Sequence, residues 1–121
     1  MIRVRFTMDE ERKMLSFKIK GHADFKSFGD DPICAGASML MYTLAQNVKY
    51  EDADGNSRRC KPEIRMKSGS ATITVRAKDM DSYIRLSHLY CVIQTGYQLL
   101  AMNYPKCVVV TLFGEEDHSG I

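Results

Sequence analysis

Two stretches of apolar–polar alternation, each followed by an apolar stripe of helical period, constrain this chain more than any other feature. Ile2, Val4 and Phe6 alternate with Arg3, Arg5 and Thr7, and Leu15, Phe17 and Ile19 repeat the pattern after the polar turn Asp9 to Lys13. A period of two belongs to a strand with one buried face, so these segments predict a hairpin. Cys34, Ala37, Met41, Leu44 and Val48 then recur at steps of three and four, which marks one face of a helix. The polar run Glu51 to Arg59 carries an Asp-Gly turn signal and predicts an exposed loop. The cycle then repeats. Ile64 and Met66, then Ala71, Ile73 and Val75, flank Ser68-Gly69-Ser70 as a second hairpin. Tyr83, Leu86, Tyr90, Ile93, Tyr97 and Leu100 stripe a long helix running from about Asp81 to Asn103, and Pro105 stops it. The last apolar run, Cys107 to Phe113, is hydrophobic at successive positions and predicts an interior strand covered on both sides.

The order ββαββαβ predicts an α+β fold: one mainly antiparallel or mixed sheet with two helices, one on each face. A chain of 121 residues fits one domain, residues 1–121. At that size folding hides roughly two-thirds of the surface the unfolded chain exposes, which is enough for a core without metal or disulfide support. Four cysteines stand apart at 34, 60, 91 and 107, with no CxxC pair, so neither a zinc site nor a disulfide framework is predicted. No cofactor is expected either. Seventeen basic and fifteen acidic residues leave a net charge of +2, too balanced to argue for nucleic-acid binding, and none is required by this reading. The N-terminal MIRVRFTMDEERK lacks the apolar centre of a signal peptide, and no stretch is long and apolar enough to span a bilayer. The cytoplasm is the expected compartment.

The segment between the first hairpin and the first helix holds the chemistry. GHADFKSFGDDP, residues 21–32, has no consistent period and predicts a loop. Asp31 suits the N-cap of the following helix and Pro32 its first helical position, where the missing N–H costs nothing. Cys34 then falls in the first turn. There the helix dipole and a nearby imidazolium favour thiolate over a thiol whose ordinary pKa is near ~8.5. His22 is a candidate to carry the proton between thiol and leaving group. The backbone amides of Ile33 and Cys34 are candidate oxyanion donors, with only one left for that task if Asp31 caps the other. Asp31 can also orient His22. Ser38 lies four residues after Cys34 on the same helix face, either as a hydrogen-bonding group or as a small residue that permits close packing. Phe25 and Phe28 either line a pocket for aromatic side chains or fold inward over Cys34.

Gly21-His22-Ala23, Gly29, Asp31, Ile33-Cys34-Ala35 and Ser38 resemble the signature of the ribosomal-processing cysteine protease family, approximately G-H-A-x5-G-x-D-x-[VI]-C-A-x-x-S. Gly36 departs from the alanine that is usual at that position, and Pro32 stiffens the start of the helix. The resemblance implies a single cysteine-protease domain with Cys34 as nucleophile and His22 as base. Asp31 and Ser38 would support the pair, and Gly29 would give the loop freedom to admit substrate. It further implies a homodimeric hydrolase that removes a short N-terminal extension from a large-subunit ribosomal protein, cutting after aromatic residues, as a step needed for ribosome assembly. Two other functions fit a reactive Cys34: a non-catalytic ribosome-associated binding module and a thiol redox sensor.

Overall fold

A computed structural model describes residues 1–21, 31–53 and 59–112 of the chain. Strands β1 (Ile2–Asp9) and β2 (Met14–Lys20) form the first hairpin, helix α1 runs over Pro32–Ala53, and β3 (Cys60–Lys67) and β4 (Ser70–Ala77) form the second hairpin. Helix α2 (Met80–Asn103) and strand β5 (Val108–Leu112) complete the order ββαββαβ read from the sequence. Helix α1 carries the chain two residues beyond Glu51, so Glu51 and Asp52 are helical where a loop was expected.

The five strands make one mixed sheet in the order β3-β4-β2-β1-β5. The hairpins join through antiparallel β2 and β4, with Phe17 opposite Ile73, and β5 runs parallel to β1, with Val4 opposite Val110. The β1–β2 turn closes on a left-handed Lys13, φ 54°, whose N–H reaches the Glu10 carbonyl.

The pleat sorts the side chains. Ile2, Val4 and Phe6 of β1, Leu15 and Phe17 of β2, and Ile73 and Val75 of β4 are all buried on one face, while Arg3, Arg5, Lys18 and Arg76 point to the other and are exposed. Both helices pack on the apolar face. Leu44 and Val48 of α1 and Tyr90 and Tyr97 of α2 belong to the same core as the strand residues. This corrects the expectation of one helix on each face. That expectation rested on the apolar β5, but β5 lies at a sheet edge rather than in the interior, and its Val109 is 37% exposed on the open side. An edge strand beside a helix layer can be apolar along its length without a second layer above it.

Aromatic rings fill the centre of the core. Phe17 and Tyr97 stack with centroids 5.4 Å apart, and Phe6 tilts against Phe17 at 5.2 Å. Each such ring contributes roughly 1.5–3 kcal/mol on burial. Burial requires each tyrosine to place its hydroxyl, and both do: Tyr90 donates to the Ile73 carbonyl at 3.0 Å and Tyr97 to the Ala37 carbonyl at 2.7 Å. Desolvation pushes both phenols above their ordinary range. The tyrosine stripe at 83, 90 and 97 is therefore core, with residues at most 6% exposed.

Candidate active site

Helix α1 begins as its sequence requires. Asp31, 5% exposed, accepts at Oδ1 from the N–H of Ile33 at 2.8 Å and from that of Cys34 at 3.2 Å, and its carbonyl takes the Ala35 N–H at 3.0 Å. One carboxylate oxygen thus satisfies two of the orphan amides of the first turn, and Pro32 has none to satisfy. Ile33 is buried and anchors that turn in the core, which leaves the next residue, Cys34, partly buried at the surface of the helix.

The Ile33 and Cys34 amides, expected to hold an oxyanion, are both engaged by Asp31. The longer bond is the one at Cys34, so that amide is the easier of the two to redirect toward a substrate oxygen.

Cys34 opens into a cleft of about 410 Å³ between the start of α1 and the ends of the strands. Ile2, Ile19, Met41 and Met66 give it an apolar wall, while Ser38 and the β3–β4 turn from Lys67 to Ser70 supply polar groups. Ser38 is exposed and lines the cleft with Cys34, in keeping with their i, i+4 spacing on one helix face. The volume lies within the range of sites that take small molecules or a few peptide side chains.

Gly21 also lines the cleft, so the chain reaches it at the residue just before His22. It has φ +100° and donates its N–H to the Gly69 carbonyl at 2.8 Å. A side chain there would run into the Met1 carbonyl, so a glycine is required twice over, by conformation and by space. His22, Phe25, Phe28 and Gly29 lie outside the described residues.

The sequence reading missed the β3–β4 turn and Tyr42 as cleft residues. The turn reaches the cleft only because β4 pairs with β2, which sets Ser70 opposite Lys20. No local signal carries that pairing. The other thiols are elsewhere: Cys60 is buried, Cys91 is exposed on α2, and Cys107 is partly buried before β5. Among the described residues no group of three His, Cys, Asp or Glu side chains could hold a metal. None of the described helices is long and apolar enough to cross a membrane.

A thiol in the capped first turn of a helix, facing a cleft with one apolar wall, is an arrangement suited to thiol-dependent hydrolysis, and the comparisons with known proteins agree on that class. The family described as cysteine protease Prp matches residues 1–109, and the chain belongs to that family. A ribosomal processing cysteine protease Prp from Staphylococcus aureus strain Mu50 is 40% identical over 66 residues, which take in 46% of this chain and 62% of the relative. The relative from strain NCTC 8325 matches to the same extent.

Among solved structures, the fold is similar to that of the S. aureus ribosomal processing protease Prp in complex with a covalently linked product peptide. That similarity has a TM-score of 0.68 and 21% identity, over 93% of this chain and 99% of that one. A Streptococcus mutans protein aligns with a TM-score of 0.64 and 22% identity, over 93% and 94% of the two chains.

Proposed function

We propose that the chain is a cysteine endopeptidase that removes the N-terminal extension of a large-subunit ribosomal protein precursor, cutting after aromatic residues, as a step in ribosome assembly. The observation that carries this reading is the placement of Cys34, in the capped first turn of α1 and on the wall of the cleft. In the proposed reaction the Cys34 thiolate attacks the scissile carbonyl and His22 takes the thiol proton. His22 then returns that proton to the leaving amine, and water releases the acyl group. The Cys34 amide, released in part from Asp31, would steady the oxyanion.

Asp31 keeps the helix start in place and orients His22, and Ser38 donates to substrate or loop across the cleft. Gly29 allows the loop to admit the peptide. The apolar wall of Ile19, Met41 and Met66 suits the aromatic residues before the cut, with Phe25 and Phe28 as further contacts. The enzyme works in the cytoplasm as a homodimer, for which the exposed α2 stripe Val92, Leu99 and Met102 offers an apolar surface.

The test is incubation with a peptide spanning the extension and the mature start of the ribosomal protein, read by mass spectrometry. One cut by the wild type, lost in Cys34→Ala and in His22→Ala, is the expected result. A folded, reduced protein that cuts nothing would overturn the reading.

A further inference from the structure

The polar side chains of the cleft come from two places: Cys34, Ser38 and Tyr42 on α1, and Lys67, Ser68 and Ser70 at the β3–β4 turn. Among the described residues that line the cleft, Lys67 is the only one that carries a charge. It is exposed, and neither its ammonium nor the hydroxyls of Ser68 and Ser70 have a partner among the described residues. Glu63, the acid on the same strand, is paired with Arg65 at 2.9 Å. The register places the exposed Lys20 on the other side of Ser70, two strand spacings or about 10 Å from Lys67. This end of the cleft is therefore positive, and a concave site with an apolar wall focuses that potential on whatever enters.

The cleft also limits where along a peptide this cation acts. Cys34, Ser38 and Tyr42 follow one another at i, i+4 and i+8, so the α1 wall runs for about 12 Å from the thiol. An extended peptide covers that length in about four residues. Lys67 bounds the same cavity, so it meets side chains close to the scissile bond rather than remote ones.

A carboxylate matches the groups at the turn. It has two acceptor oxygens and no donor, so one oxygen can take a charge-assisted bond from the Lys67 ammonium and the other a bond from the Ser68 or Ser70 hydroxyl. Met41 and Met66 on the adjoining wall keep the local dielectric low, which makes such a pair stronger than one on open surface.

We infer that Lys67, with Ser68 and Ser70 beside it, is a specificity-determining site for an acidic side chain of the substrate, an Asp or Glu within about four residues of the cut. The inference rests on the peptidase reading for what occupies the cleft. It adds a charged determinant that selects among peptides carrying the same aromatic residues.

The test uses acetylated, amidated peptides of otherwise neutral sequence with a pair of phenylalanines before the cut. Each carries one Glu at one of the remaining positions within about four residues of the cut, beside a matched Gln peptide, so a side chain is the sole carboxylate. Wild-type kcat/KM should be about three- to tenfold higher for Glu than for Gln at one of these positions. The preference should vanish in K67Q and turn toward a Lys peptide in K67E. K67Q should melt with the wild type, because its side chain has no partner to lose. K49Q, at an exposed lysine of α1 outside the cleft, should keep the wild-type preference. Fluorescence anisotropy of the labelled peptides on Cys34→Ala, with and without Lys67→Gln, needs no turnover. There the Glu-over-Gln ratio should follow the same pattern and shrink between 50 and 300 mM salt.

Equal rates for Glu and Gln at every position overturn the inference. So does a preference that survives in K67Q, or one that K49Q removes equally well. Turnover of the peptides without any dependence on Lys67 defeats this inference alone. Lys67-dependent binding of a Glu peptide without turnover defeats the peptidase reading alone.

Discussion

Tyr97 on α2 donates its hydroxyl to the carbonyl of Ala37 on α1 at 2.7 Å, three residues along the helix from Cys34. The ring of Tyr97 stacks on Phe17 of the sheet, so a single side chain ties the start of the nucleophile's helix to both other parts of the core. Tyr97→Phe keeps the stack and loses the hydroxyl. The Ala37 carbonyl retains its helical partner, so the expected loss is about 1 kcal/mol. Tyr97→Ala would open a cavity as well and cost roughly 3–5 kcal/mol. Urea unfolding of the two variants checks the order, and equal losses would show that the hydroxyl rather than the ring carries the stability.

The two helices also meet through glycines. A Cβ on Gly36 would stand 3.6 Å from Leu100 Cδ2, an ordinary contact, whereas one on Gly96 would stand 2.6 Å from Leu40 Cδ2 and force that side chain to move. Gly36→Ala therefore gains helix propensity without a clash, and a rise of about 0.5–1 kcal/mol in unfolding free energy is expected at an unchanged denaturant slope. Gly96→Ala should gain less, because the movement of Leu40 offsets the same propensity term. A drop in stability for Gly36→Ala would mean that the α1–α2 contact is tighter there than its geometry shows.

What was legible in the sequence was local. The start of α1 could be read because a cap, a first-turn proline and a buried Ile33 act within four residues of one another, and the structure places Asp31 as that cap. The strand patterns could be read because burial alternates with the pleat. The order β3-β4-β2-β1-β5 could not, since the pairing of Phe17 with Ile73 joins segments far apart in sequence and no turn specifies it. The placement of both helices on one face follows from that order, and so does the wall of the cleft formed by Lys67 to Ser70.

Asp31 has two separable effects on α1. Its Oδ1 caps the Ile33 and Cys34 amides, and its negative charge stands beside the site where the thiolate forms. Asp31→Ala removes both and should cost about 0.5–2 kcal/mol of stability. Asp31→Asn keeps an oxygen to accept from the amides and removes the charge that opposes thiolate formation. Alkylation of Cys34 by iodoacetamide near pH 7 should then speed up by about two- to tenfold in Asp31→Asn with little loss of stability. If Asp31 instead matters chiefly through an imidazolium at His22, the same substitution slows alkylation, so the sign of the change separates the two roles.

Cys60 predicts how the fold responds to alkali. The thiol is buried at the start of β3, with Sγ directed at the Val48 carbonyl at 3.8 Å, and desolvation, with smaller contributions from Asp52 and Glu51, pushes it up from 9.0 to about 11. In the unfolded chain the thiol ionises near its ordinary value, whereas the folded chain keeps it neutral. Between pH 9 and about 11 the unfolded state therefore releases a proton that the native state holds, and stability falls as pH rises through that window. Below pH 9 both states are protonated and this group adds no pH dependence. The raised phenols of Tyr90 and Tyr97 act in the same direction at higher pH. Cys60→Ala should flatten the decline between pH 9 and 11 in urea titrations at fixed temperature, even though the smaller side chain lowers stability at neutral pH. An unchanged slope in that variant would assign the alkaline loss to the tyrosines. The same burial predicts the order of thiol labelling in the folded wild type, with Cys91 and Cys34 modified before Cys60 and Cys60 reacting only as the protein unfolds.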